Sequence, residues 1–201
     1  MTSNHLASTD FLLSWTRTTR WMGLVRRYLL PLTLAPGIVV HELAHYLGCL
    51  ALGVRVHEVV LFRFGDPVGY VDHDIPRAYW RRIVVTMAPL VINTGVALAT
   101  FWASARVAAP LALVAIYLGV VTLLNSIPSS IDARALLPHS RLGYLHPLFI
   151  LTLPLIVILL VANRLRAHGF SVAYTGAISG VLLLSFHTDA LSLSELFAGL
   201  V

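Results

Sequence analysis

Apolar residues in this chain gather into five long runs, at residues 29–52, 83–105, 108–124, 145–162 and 170–186. Each is close to the roughly 20 residues that a helix needs to cross the hydrocarbon core of a bilayer. The pattern predicts an all-α polytopic membrane protein with five to six transmembrane helices. Pro31 and Pro36 fall early in the first run, so that span is expected to enter kinked, or as loop, before becoming regular helix. Ahead of it, Phe11, Leu12, Trp15, Met22 and Val25 recur at roughly helical spacing, with Arg17, Arg20 and Arg27 between them. That spacing suits an amphipathic helix lying on the membrane surface, or a solvated tail that carries the first span.

Between the first two runs the period changes. Val54, Val56, Val60, Phe62 and Phe64 share one alternation phase, and Arg55, His57 and Arg63 share the other. Gly65, Asp66 and Pro67 then make a turn, and residues 68–71 return as a second strand. A small β-hairpin is therefore expected at 54–74, where the plain alternative is an interfacial loop. The resulting organisation is an N-terminal interfacial segment at 1–28, a membrane core of three helices at 29–137, and C-terminal transmembrane helices at 138–201.

Composition agrees with this picture. Hydrophobic residues make up 58% of the 201 positions and charged residues only 11%, against about a quarter charged in soluble domains. No separate soluble domain fits, and a multi-pass protein of the cell membrane is expected. All 14 basic residues are arginine and the net charge is +5. The arginines stand at the ends of the apolar runs, where they anchor helices at lipid headgroups, so the charge predicts no nucleic-acid partner. Counted over five spans they divide evenly between the two sides, and the positive-inside rule leaves orientation open. The polar stretch Met1 to Asp10 is not followed by the apolar core of a cleaved signal peptide. Cys49 is the single cysteine, which excludes an internal disulfide.

Candidate chemistry lies inside the first apolar run. His41-Glu42-Leu43-Ala44-His45 is an HExxH sequence. On a helix the two histidines stand one turn apart on the same face and can reach one metal ion. Glu42, beside the first ligand, can take a proton from a water whose pKa zinc lowers toward neutrality. An ionisable group at mid-membrane costs on the order of 2.5 to 3.5 kcal/mol. Three together therefore point to a metal rather than to polar helix packing.

A catalytic zinc ion takes three protein ligands and keeps one position open. Ala51 stands where a metzincin would carry its further histidine. A glutamate-ligand class would have to use Glu58 or Glu195, and Cys49 lies one turn beyond His45. Asp132 is the better candidate. It follows Pro128 in a stretch expected to be unwound and to line a polar cavity, although a solvated loop aspartate paired with Arg134 would look the same in sequence.

Three segments resemble, in the same order, those of the site-2 protease family of intramembrane zinc metalloproteases (peptidase family M50). They are HELAHYLGCLALGVRV from His41, Met87-Ala88-Pro89-Leu90-Val91-Ile92-Asn93, and the run from Asn125 through Pro128 to Asp132. Ala88 and Ala133 stand where the family carries glycine, and the Pro128-to-Asp132 spacing is one residue shorter. The resemblance implies that His41, His45 and Asp132 hold one Zn2+ and that Glu42 acts as base and then proton donor. It also implies that Asn93 and Asn125 position the substrate or its oxyanion. The hairpin would lie beside the active site on the cytosolic side, where an unwound transmembrane protein substrate can pair with it. Hydrolysis of peptide bonds in or near transmembrane segments is the function so implied. The alternatives are a non-proteolytic membrane metal-binding or transport protein and a membrane metalloprotease of a glutamate-ligand class.

Overall fold

The computed structural model describes residues 22–138, 141–166 and 168–198, with 189–198 described by backbone alone. The interfacial segment expected at 1–28 thus lies outside the described residues up to position 21. From Met22 the chain is already helical, and a π-helical turn, Val25–Leu29, runs directly into α1, Leu30–Ala51. Strands β1, Val56–Val60, and β2, Tyr70–His73, follow. The remaining helices are α2, Tyr79–Ser104; α3, Ala109–Leu124; the short α4, Ser130–Ala135; α5, Pro147–Arg166; and α6, Phe170–Ala198.

Among the described residues, four helical segments are long and apolar enough to cross a membrane: Met22–Ala51, Tyr79–Ser104, Pro147–Arg166 and Phe170–Thr188. Where five to six spans were expected, there are four such helices and one shorter apolar helix, α3. Its 16 residues rise only about 24 Å at 1.5 Å per residue. The first span is not broken by its prolines, as Pro36 lies inside continuous α1. A proline ring disturbs the carbonyls of the preceding turn, and the Tyr117 hydroxyl donates to one of these, Thr33 O, at 2.6 Å.

Helices α1, α2 and α3 pack against one another, and α6 leans on both α2 and α3. Ala97 and Phe101 of α2 and Leu123 of α3 are buried there beneath Tyr174, Ile178 and Leu182 of α6. Leu136, Phe149 and Ile156 form a second buried group that seats α5 against Tyr79 and Ile83 of α2. The outer faces stay apolar: Val91, Leu113, Leu151 and Val172 are all about 70% exposed.

α1 and α3 approach closely at Gly37. A Cβ added to Gly37 would run into the Val121 carbonyl and come within 2.7 Å of the Asn125 amide. At its far end α1 stops in a Schellman motif, with Val54 N bonded to Cys49 O, Gly53 N to Leu50 O, and Gly53 at φ +62°.

The predicted hairpin is present, with its strands confined to Val56–Val60 and Tyr70–His73. β1 and β2 are antiparallel, pairing Val60 with Tyr70 and Val56 with His73, and an irregularity between Val56 and Glu58 shifts the alternation at His57. Phe62 and Phe64 lie beyond β1. Their rings meet at 5.3 Å, and Phe64 also meets Tyr28 at 5.6 Å, so they pack sideways against the start of the first helix instead of extending the ladder.

Because Gly37 lets two backbones touch, Gly37→Ala is expected to lower stability by about 1 to 3 kcal/mol through overpacking. Gly95→Ala, where a Cβ meets nothing within 4 Å, should leave stability unchanged or slightly raised. Thermal unfolding of both variants in detergent checks the contrast.

Candidate metal centre

α1 presents His41 and His45 from consecutive turns, with ring centroids 5.0 Å apart. Each ring is held from behind by a backbone carbonyl. His41 Nδ1 lies 2.6 Å from Asn125 O at the end of α3, and His45 Nδ1 lies 3.0 Å from Val85 O in α2. A carbonyl only accepts, so each Nδ1 carries the proton and each Nε2 presents a lone pair toward the centre.

Asp132 completes the cluster from α4. The chain leaves α3 at Leu124, passes through Pro128, and becomes helical again at Ser130. Asp132 therefore stands on the first turn of a short helix, not in the unwound stretch expected. Ser129 caps that helix: its hydroxyl accepts from Asp132 N at 3.2 Å, and its own N–H donates to Asp132 Oδ2 at 2.7 Å. This reciprocal box aims the carboxylate at the histidines, 3.5 Å from His45 Nε2 and 3.9 Å from His41 Nε2, rather than at Arg134. The Ser129 N–H bond to Oδ2 favours the charged form of the Asp132 carboxylate.

These three residues could hold a metal ion, with one ligand atom from each all within 4.8 Å of one another. Two observations fit them to a cation. His45 Nε2 is buried without a hydrogen-bond partner, and both Nε2 lone pairs point at a carboxylate, an arrangement that repels unless a positive charge lies between. The 3.5 Å separation of His45 Nε2 from Asp132 Oδ1 is close to the roughly 3.3 Å edge of a tetrahedron with bonds of about 2.0 Å.

Glu42 is not part of the cluster. It lines two adjoining cavities of about 230 and 260 Å³, each also lined by His41, Gly69 and Ser129. The hairpin closes tightly over it: a Cβ on Gly69 would stand 2.8 Å from Glu42 Cγ. Tyr70 and His73 of β2 line the larger cavity beside His45 and Asp132, and Arg166 enters the smaller one from the end of α5.

Asn93 and Asn125 take different places. Asn125 lines the smaller cavity, while its side-chain amide donates back to Val121 O at 2.8 Å. Asn93 is fully buried behind the site and lines neither cavity that contains Glu42. Its amide reaches three carbonyls, those of Asn125 at 3.1 Å, Thr122 at 3.3 Å and Gly37 at 3.4 Å. It thus steadies the same Asn125 carbonyl that orients His41.

The other candidate ligands do not converge. Cys49 is buried and outside the metal cluster. Glu58 is exposed on β1, where its hydrogen bond holds the Tyr70 hydroxyl above its ordinary range. The side chain of Glu195 lies outside the described residues.

Sequence reasoning missed the clamp from α5. Asn163 donates to Pro128 O at 2.9 Å and Arg166 to Ile127 O at 3.1 Å, pinning the loop that delivers Asp132. Nothing in the apolar run of α5 distinguishes these residues from interfacial anchors.

Comparison with family models, curated proteins and solved structures finds no match to this chain.

Metal analysis of the purified protein is expected to find one bound ion, lost in His41→Ala, His45→Ala and Asp132→Ala. Asn93→Leu, which removes the tether behind His41, should weaken metal affinity about tenfold or more. A direct substrate contact at Asn93 would instead raise KM and leave metal affinity untouched.

Proposed function

We propose that this chain is a membrane-embedded zinc endopeptidase of the site-2 protease type, hydrolysing peptide bonds in or near transmembrane segments of membrane proteins. The observation that carries the reading is the meeting of Asp132 with His41 and His45 across 87 residues of sequence, beside a cavity lined by Glu42. Four apolar helices of spanning length and the apolar outer faces support a site reached from the bilayer. The Asp/His/His donor set suits zinc, and the protein ligands leave a coordination position open.

Bound zinc supplies Lewis acidity, polarising the scissile carbonyl and acidifying a water molecule. Glu42 makes no hydrogen bond among the described residues, so its carboxylate is available to take the attacking water's proton and return it to the leaving amine. Arg166 places a fixed positive charge on the Glu42 side of the cavity, where negative charge develops on the substrate oxygen. Asn125 lines that same side. β2 forms one wall, and its backbone suits an extended substrate adding as a further strand. Extension is needed because the carbonyls of an intact helix are hydrogen-bonded and shielded.

Glu42, unneeded for metal binding, favours hydrolysis over carriage. Glu42→Gln is expected to retain the metal and to cut a model transmembrane substrate at least 100-fold more slowly, the scale of general-base loss. Undiminished cleavage by this variant would overturn the mechanism. Metal uptake into proteoliposomes by a wild type without peptidase activity would replace hydrolysis with transport.

A further inference from the structure

A second polar site lies on the surface, apart from the metal cavities. Gly53, Val54 and Arg55, just past the end of α1, face Asp74, Ile75, Pro76, Arg77 and Arg81 around the start of α2, enclosing a depression of about 410 Å³. Three arginines thus converge on one concave site. None of the three has a carboxylate partner among the described residues, and the single acid in the lining, Asp74, is engaged by His57 at 2.8 Å. Arg81 stacks over Trp80 with its guanidinium 5.4 Å from the ring centroid, an arrangement that leaves in-plane donors free. The positive end of the α2 dipole adds to the same field, and Ala78 gives that helix no side-chain cap.

We propose that Arg55, Arg77 and Arg81 form a binding site for a phosphate group, presented by an anionic lipid headgroup. Guanidinium forks match phosphate oxygens in pairs, and three forks without carboxylate partners line one hollow. The source follows from position. α1 ends and α2 begins here, both helices are of spanning length, and Trp80 and Ile75 stand exposed beside the arginines. Aromatic, aliphatic and basic side chains at the ends of two spans mark headgroup depth. The lipid source rests on the membrane reading; the phosphate chemistry does not. Its consequence reaches the metal centre, because Ile75 and Pro76 also line a narrow cavity that contains His45 and Asp132. A bound headgroup would hold the β2–α2 connection in place there.

The test uses the full chain in a non-ionic detergent and follows thermal unfolding during titration with phosphatidylglycerol, phosphatidylcholine or inorganic phosphate. Phosphatidylglycerol is expected to raise Tm and phosphatidylcholine not to. The titration midpoint should move up on the order of fivefold for each of Arg55→Gln, Arg77→Gln and Arg81→Gln. The control pair Arg106→Gln and Arg164→Gln should respond like wild type. A rise with inorganic phosphate that phosphatidylglycerol does not reproduce would keep the phosphate site and assign it a soluble ligand. An unchanged response in the triple variant, or an equal response to phosphatidylcholine, overturns the proposal.

Discussion

His41 Nδ1 and the Asn125 carbonyl meet at 2.6 Å, joining the middle of α1 to the end of α3. A polar bond of this kind, formed where little water competes, orients an imidazole that apolar packing alone would leave free to rotate. It depends on Gly37, since only a residue without Cβ lets the two backbones approach so closely. It depends also on α3 stopping at Leu124, which frees the Asn125 carbonyl from a helical partner. Asn93 then holds that carbonyl from the opposite side.

The third member of the cluster is delivered by a different device. Ser129 and Asp132 cap α4 reciprocally, so one Asp132 oxygen is spent on the local backbone while the carboxylate as a whole faces the histidines. The loop leading into α4 is pinned by Asn163 and Arg166, which makes a helix outside the three-helix core part of the support for the centre. Such outer bonds matter because ligands held to a fraction of an ångström set both metal affinity and the orientation of whatever is bound.

The hairpin joins the two ends of this design. Its return strand lies against Glu42 through Gly69 and carries Tyr70 and His73 to the larger cavity. Past His73 the chain enters the connection to α2, bordered by the arginine-lined depression on one side and a cavity containing His45 and Asp132 on the other. In the proposed protease, a substrate strand laid on the hairpin and a headgroup held near α2 would meet the same short stretch of backbone.

Much of this was legible from residue pattern. Long apolar runs specify helices wherever backbone groups must be satisfied internally, and among the described residues four of the five apolar runs form helices of spanning length. The i, i+4 spacing alone puts His41 and His45 on one face. The period-two segment specified a hairpin, though its register was decided by the bulge at His57 and by Phe62 and Phe64 packing sideways. Long-range relations were another matter. Local spacing says nothing of whether Asp132 reaches the histidines, whether Asn93 faces a cavity or a set of carbonyls, or which end of α5 clamps the ligand loop. Those depend on helix contacts between residues far apart in the chain, so only the tertiary structure decided them.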